Sequence, residues 1–371
     1  MLKLSDLKNY IIFLYKKYWW LTPLTIFFVW RIFLEVTGQY FCHLDSIKFS
    51  NTIWWRWDSD WYGSIVQHGY YLRAGLQSNV TFFPLYPLLW KMVALVTKWP
   101  NHISALVVSN LLTLGSFVIF YRWLSVIWGE VIAKRGLMAL AVFPTSFFLI
   151  SVYSESTLLF LVVSMFLFVE RGKWRLAAFM ALLASAARPV GIFLWPVLFC
   201  LWFFKKKNNK TINKVDSLSI IILPPIGLLL FSFYLWVEFG DALAWLHGQG
   251  NYGRNLIFPH RLLYAYVVNI IVRGEYWVRH LAEMAALVLV IFCLPKLKKI
   301  NPAYVLFAIL NLIPSLFSNT LTSIQRFVLV IAPIFIVVAR QKNFIYILYL
   351  VSSFSLLVFS MAQFVNLKWA G

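Results

Sequence analysis

The sequence predicts an all-α, multi-pass membrane protein, and three observations carry that expectation. Of the 371 residues, 61% are hydrophobic and only 12% charged, with a mean hydropathy of +0.77, whereas a soluble domain carries about twice that charge. The apolar residues come in successive runs, several of them near the roughly 20 residues of a helical crossing. The 33 Lys and Arg against 13 Asp and Glu, a net charge of +20, fall in short clusters between those runs. That pattern belongs to membrane topology and anionic-lipid contact rather than to nucleic-acid binding.

Residues 1–18 read as a basic amphipathic segment with Lys3, Lys8, Lys16 and Lys17. They lack a clean apolar core and a small-residue cleavage site, so an uncleaved first helix is expected. A first span follows over 19–41, with Arg31 and Glu35 four apart on one face and positioned to pair. The stretch from Trp54 to Pro87 then gathers Arg56, Asp58, Asp60 and His68 among Trp54, Trp55, Trp57, Trp61, Tyr62, Tyr70 and Tyr71. Rings at this density suit a membrane-water interface. The run 82–99 holds Pro84, Pro87, Lys91 and Lys98, which suits an interfacial helix better than a crossing.

Further apolar runs fall at 103–128, 136–150, 156–169, 176–187, 191–204, 218–238, 277–294, 302–317, 327–339 and 344–364. If 82–99 does not cross, one side collects 19 of the 33 basic residues, at 1–18, 134–135, 171–175, 205–214, 296–299 and 340–342. The positive-inside rule makes that side cytoplasmic. The expected topology has about 11 spans, N-terminus in and C-terminus out. It sends the Asp58 loop, the turns at 151–156, 188–191 and 323–326, and the long loop 239–276 to one outer face. No repeat and no flexible linker divides the chain, so residues 1–371 form one membrane-embedded domain, with a first outer loop and interfacial helix over 43–99.

Among the acids assigned to that face are Asp45, Asp58, Asp60 and Glu155. Asp58 and Asp60 are two apart: they diverge on a helix but can flank one site in a turn. Either carboxylate could take a proton from an incoming hydroxyl, or cap the helix expected from Trp61 onward. An acid held among aromatic rings at an interface is costly without a purpose, which favours function for Asp58. Glu155, beside the Tyr153 hydroxyl, either complements a helix N-terminus or binds a sugar hydroxyl or an Arg. Arg188, Arg254 and Arg326 are outer cations that run against the positive-inside trend, and each presents a planar fork matched to a phosphate. The other reading for them is a salt bridge to Glu155 or Asp58. His68 is a polar residue of the HGYY turn. Cys42, Cys200 and Cys293 are widely spaced and indicate neither disulfides nor a metal site. Walker A, GxGxxG, HExxH and GxSxG patterns are lacking, so a lipid-linked sugar donor fits better than a nucleotide sugar.

RWDSDWYGSIVQHGYY at 56–71 followed by TFFPLYPLL at 81–89 resembles the PIG-V-like mannosyltransferases. The likeness continues in FPTSFFLISVYSES at 143–156, AARPVGI at 186–192 and SIQRF at 323–327, and more loosely in QGNYGRN at 249–255. The family belongs to the GT-C class of integral-membrane glycosyltransferases. The resemblance therefore implies a GT-C fold and inverting transfer of a sugar, commonly mannose, from a polyprenyl-phosphate donor. The acceptor would be a hydroxyl-bearing glycan, lipid or protein at the extracytoplasmic face, here of a bacterial plasma membrane. Asp58 stands at the Asp of the family's WD pair and is expected as catalytic base, with Asp60 as a second candidate. Arg326, Gln325, Arg188, Arg254, Glu155, Tyr153 and His68 are the expected donor-binding set. No cofactor is expected, and a divalent metal is compatible but not required. The rival reading is a flippase of lipid-linked sugars that uses the same groups for binding alone. Transporters often show two similar halves, and none is visible here.

Overall fold

A computed structural model describes residues 18–44, 53–208 and 212–368. Among them the secondary structure is helical, apart from one antiparallel bridge between Leu256 and Ser318. The basic segment of the N-terminus and Asp45 lie outside the described residues. Six stretches are long and apolar enough to cross a membrane. They are α1 (Leu21–Leu44), α4 (Asn101–Ala141), a 3-10 turn at Pro189–Phe193 continued by α7 (Leu194–Asn208), α8 (Lys214–Phe239), α11 (Trp277–Ile300) and α15 (Asn343–Val365). The chain is a multi-pass membrane protein.

The remaining helices are shorter: α2 (Asp58–His68), α3 (Leu85–Thr97), α5 (Glu155–Glu170), α6 (Trp174–Ala187), α9 (Ala244–His247), α10 (Pro259–Ile271), α12 (Pro302–Leu316), α13 (Ile324–Leu329) and α14 (Pro333–Ala339). At about 20 Å, the 13 residues of α3 are too short for a straight crossing of a roughly 30 Å core. The break expected between 103–128 and 136–150 falls at a kink, and the second of these runs is reshaped. Gly129, at φ 83°, kinks α4 between its two legs. The run 136–150 leaves the helix at Ala141, because Pro144 cannot continue it, and ends in a 3-10 turn at Ser146–Leu149.

Helix α5 lies at the centre of the bundle, packed between α4 and α6. It is apolar all round and almost wholly buried, as a helix with no lipid face should be. The segment 324–339 is buried throughout and splits into α13 and α14 ahead of Pro333. Its α14 half packs on α4. The two ends of α5 differ in character. Glu170 at its tail pairs with Lys205 at 3.0 Å. Arg135 donates to the Gln341 carbonyl at 2.8 Å, and Lys296 to the Gln341 side chain at 2.9 Å, so further basic clusters meet one another. Glu155 at its head, about 22 Å away along the axis, meets arginines of a different set.

Candidate functional site

The site grows from the head of α5. Glu155 is its first residue and is completely buried. One carboxylate oxygen, Oε1, accepts from Arg326 Nε at 2.6 Å and pairs with Arg188 Nη1 at 2.5 Å. Arg326 also donates through Nη1 to Asp58 Oδ2 at 3.0 Å. The result is a chain of alternating charge, Asp58–Arg326–Glu155–Arg188, drawn from four elements far apart in sequence. Its exposure is graded. Arg326 is 5% exposed and Arg188 12%, while Asp58 at 25% is the end that faces outward. Aromatic faces complete the cradle, with the Arg326 guanidinium 4.8 Å from Phe148 and 4.6 Å from Tyr153, and Arg188 5.4 Å from Phe327.

Local backbone geometry aims the two groups that meet at Asp58. Trp57, immediately before α2, has φ 42°, and Ser323, the residue before α13, has φ 76°. Positive φ in a bulky or hydroxyl residue is a strained choice, of the kind that persists where the surroundings demand it. Here it turns the chain so that Asp58 and Arg326 face each other. The loop ahead of α2 is sewn to the 151–156 turn. Ser59 Oγ donates to the Val152 carbonyl at 3.1 Å, Tyr153 Oη to the Arg56 carbonyl at 2.9 Å, and Tyr62 Oη to Ser154 Oγ at 2.7 Å. Burial pushes the Tyr153 phenol well above its ordinary range, and the nearby Asp58 charge adds to the rise. It serves as a neutral donor.

Asp58 and Asp60 do not flank one site. Both lie in the first turn of α2, where residues two apart diverge, so Asp60 turns outward and accepts from the Trp55 indole at 2.6 Å. Nor does Asp60 cap a helix beginning at Trp61, because α2 starts at Asp58. His68 sits exposed at the far end of α2, about 15 Å along the axis, away from the cluster. Gln325 is buried, and its carbonyl accepts from Thr145 Oγ1 at 3.2 Å.

Arg254 reaches the same neighbourhood from the loop 253–258. That loop is held to the rest of the chain by Asn319 N–H to the Asn255 carbonyl at 2.9 Å and Tyr252 Oη to the Ser78 carbonyl at 3.0 Å. Tyr252 packs against Trp61 at 5.5 Å and Phe82 at 6.0 Å, forming an aromatic wall. Burial pulls the Arg254 guanidinium below its ordinary value, the Asp58 charge opposes that, and the positive charges of Arg326 and Arg188 reinforce it. Among the described residues no carboxylate forms an ion pair with Arg254, in contrast to Arg188 and Arg326. Counting Asp58, Glu155, Arg188, Arg326 and Arg254, the site carries one surplus positive charge. No cluster of three or more His, Cys, Asp or Glu side chains converges among the described residues.

Two supports are absent from the residues that the sequence singled out. Phe364, near the end of α15, packs against Trp57 at 5.3 Å, Phe147 at 5.0 Å and Phe148 at 5.2 Å, so the last long helix floors the site. Asn79, fully buried, holds the chain after α2 by accepting from Tyr71 N–H at 2.8 Å and donating to the Gly69 carbonyl at 3.0 Å. A polar residue two positions ahead of the TFFPLYP run was the available hint. Comparison of the chain with protein-family models, with curated proteins and with solved structures returned no match.

Proposed function

We propose that the protein is a PIG-V-like, GT-C-type glycosyltransferase with about eleven spans. It would move a sugar, most simply mannose, from a polyprenyl-phosphate donor to a hydroxyl acceptor at the extracytoplasmic face, with inversion. The observation that supports this reading best is the outward end of the ion chain: a partly exposed carboxylate, Asp58, backed by buried guanidinium groups and sharing its neighbourhood with Arg254, which has no carboxylate partner among the described residues. Asp58 Oδ2 is held by Arg326, which orients Oδ1 toward an incoming acceptor. Oδ1 takes the hydroxyl proton, the oxygen attacks the sugar C1 from the face opposite the phosphate, and the C1–O bond electrons leave with the phosphate. The phosphate gains a negative charge as it departs. Arg254, with Arg326 behind it, stabilises that charge more in the transition state than in the ground state. The chain's own guanidinium groups supply this cation, and no step in the scheme calls for a metal.

The test is release of polyprenyl phosphate from polyprenyl-phosphate mannose by protein in lipid, with a panel of hydroxyl acceptors. Asp58→Asn should lower turnover by about 10²-fold or more, the scale of general-base catalysis, while donor binding stays intact. Undiminished turnover would remove Asp58 as base. Donor binding and lipid translocation without any sugar transfer would favour the flippase.

A further inference from the structure

The segment 240–276 carries a surface that a polar outer loop would not have. Within it, α10 exposes Tyr264, Val267, Val268 and Ile271, with Val272 just beyond its end, at the i, i+3, i+4, i+7, i+8 spacing of one helical face. Leu256 and Phe258, just before it, are among the most exposed apolar residues of the chain, at 89% and 65%. The opposite face buries Leu262 and Tyr266. With 13 residues, or about 20 Å, α10 is too short to cross.

The position of α10 says what covers the exposed stripe. It lies between α8 and α11, both long enough to span the bilayer, so both ends of its segment start at the membrane surface. The link into α11 is folded tightly, with Gly274 N–H to the Asn269 carbonyl at 2.9 Å and Trp277 N–H to the Gly274 carbonyl at 3.1 Å. The Tyr266 ring lies 4.0 Å from the His280 ring in the first turns of α11, which fixes α10 at the level where that helix enters the membrane. Arg261 and Arg273 are exposed at the two ends of the stripe, placed to reach anionic headgroups.

We infer that α10 lies in the membrane-water interface, with Tyr264, Val267, Val268, Ile271 and Val272 inserted among lipid chains and Arg261 and Arg273 paired with anionic lipid headgroups. The inserted helix also has an inward grip. Tyr266 Oη accepts from Leu321 N–H at 2.7 Å, five residues before Arg326. This inference stands apart from the proposed reaction, since it concerns the bilayer and not the sugar donor.

The test uses full-length protein in bilayers of phosphatidylcholine with and without phosphatidylglycerol. Nitroxides are placed singly at Val268→Cys, Ile271→Cys and, as a loop control, Gln77→Cys, with Cys42, Cys200 and Cys293 replaced by alanine. Power saturation against oxygen and a water-soluble nickel chelate should give a several-fold higher oxygen-to-nickel ratio at 268 and 271 than at 77. It should also show deeper burial in the anionic bilayer. Water-like ratios at 268 and 271 would overturn the inference, as would spin-spin broadening between copies, which would make the occupant a second chain. Equal depth in the two bilayers would overturn the pairing with headgroups.

Discussion

At the scale of single residues, Arg326 carries the most, because one guanidinium serves two carboxylates at 2.6 and 3.0 Å from a position that is 5% exposed. Removing one partner of a buried ion pair leaves an uncompensated charge and costs about 3–5 kcal/mol. Arg326→Ala should therefore lower the melting temperature sharply in scanning fluorimetry. Arg326→Lys should recover part of the stability but little turnover, since an ammonium is a point charge and cannot bridge Asp58 and Glu155 as a planar fork does. A lysine variant with full turnover would mean that the bridge is only structural. Arg188 and Arg254 should separate cleanly. Arg188 is tied to Glu155, so Arg188→Gln should chiefly destabilise. Arg254 has no described carboxylate partner, so Arg254→Gln should leave the melting temperature nearly unchanged and lower kcat by about 10- to 100-fold with a smaller change in the KM for donor, the worth of one charged hydrogen bond at roughly 1.5–3 kcal/mol made in the transition state. Unchanged kcat would remove Arg254 from the stabilisation of the leaving phosphate. Most of these residues were legible in the sequence, since a charge among apolar neighbours stands out. The alternative of a salt bridge named the right carboxylates, Glu155 and Asp58, but which arginine meets which was not legible: Asp58 and Arg326 are 268 positions apart, and their meeting depends on two positive-φ residues, Trp57 and Ser323, that no pattern announces.

At the scale of elements, the closest constraint is the packing of α6 on α8. Pro224 and Pro225 remove the rungs of α8 to the carbonyls of 220 and 221, and further on, at the rung between Pro224 and Leu228, a side chain from α6 enters the ladder. Ser185 Oγ lies 2.7 Å from the Pro224 carbonyl and accepts from Leu228 N–H at 3.2 Å, so one hydroxyl bridges a rung of the neighbouring helix. Gly227 allows that approach, because a Cβ there would come within 2.3 Å of the Leu182 carbonyl oxygen. Ser185→Ala should cost about 1–3 kcal/mol by leaving buried backbone groups unsatisfied. Gly227→Ala should do worse by forcing the helices apart, and guanidine-free thermal unfolding in nanodiscs would rank them. If Gly227→Ala were the milder of the two, the close approach would not be what holds the pair together. Helix existence was largely legible from apolar runs, and the break at 188–191 from its proline and glycine. The route of 136–150 was not, because a continuous apolar stretch looks the same whether it crosses as one helix or, as here, bends at Pro144 into turns buried against α15. The amphipathic α10 was hidden for another reason: its face shows only when the residues are placed on a helix, and 13 residues fall short of a spanning run.

At the scale of the whole molecule, the ends of the bundle differ in charge and in purpose. Lys205 lies at the tail of α5, on Glu170. Arg135 lies toward that end too, since Gly136 packs on Leu124 and Trp123 stacks on Phe166 in the last turns of α5. Lys296 meets the Arg135 cluster at Gln341, while the ion chain lies at the head of α5. The first and last spans run from the one end to the other. Trp19, just before α1, stacks on Tyr121 in the half of α4 nearer its kink, whereas Gly38 within α1 sits under Ile53 and Trp54 beside the site. Helix α15 begins with Asn343 near Arg135 and ends with Phe364 under the site aromatics. Under the proposed topology, a chain whose first long helix starts at one end and whose last ends at the other would cross an odd number of times, with the end of the last helix on the side of the site. Lysine and arginine clusters are retained on the cytoplasmic side, so the site should face outward, where a lipid-linked donor is available and nucleotide sugars are not. Single cysteines in an otherwise cysteine-free chain, expressed in a bacterial plasma membrane, test this directly. Gln77→Cys and Leu367→Cys should react with a membrane-impermeant maleimide in intact cells, and Lys173→Cys only after lysis. The reverse pattern would put Asp58 and Arg254 in the cytoplasm, where a nucleotide sugar becomes an available donor. Labelling of Gln77→Cys without Leu367→Cys would instead break the link between the last helix and the site on which the odd count rests.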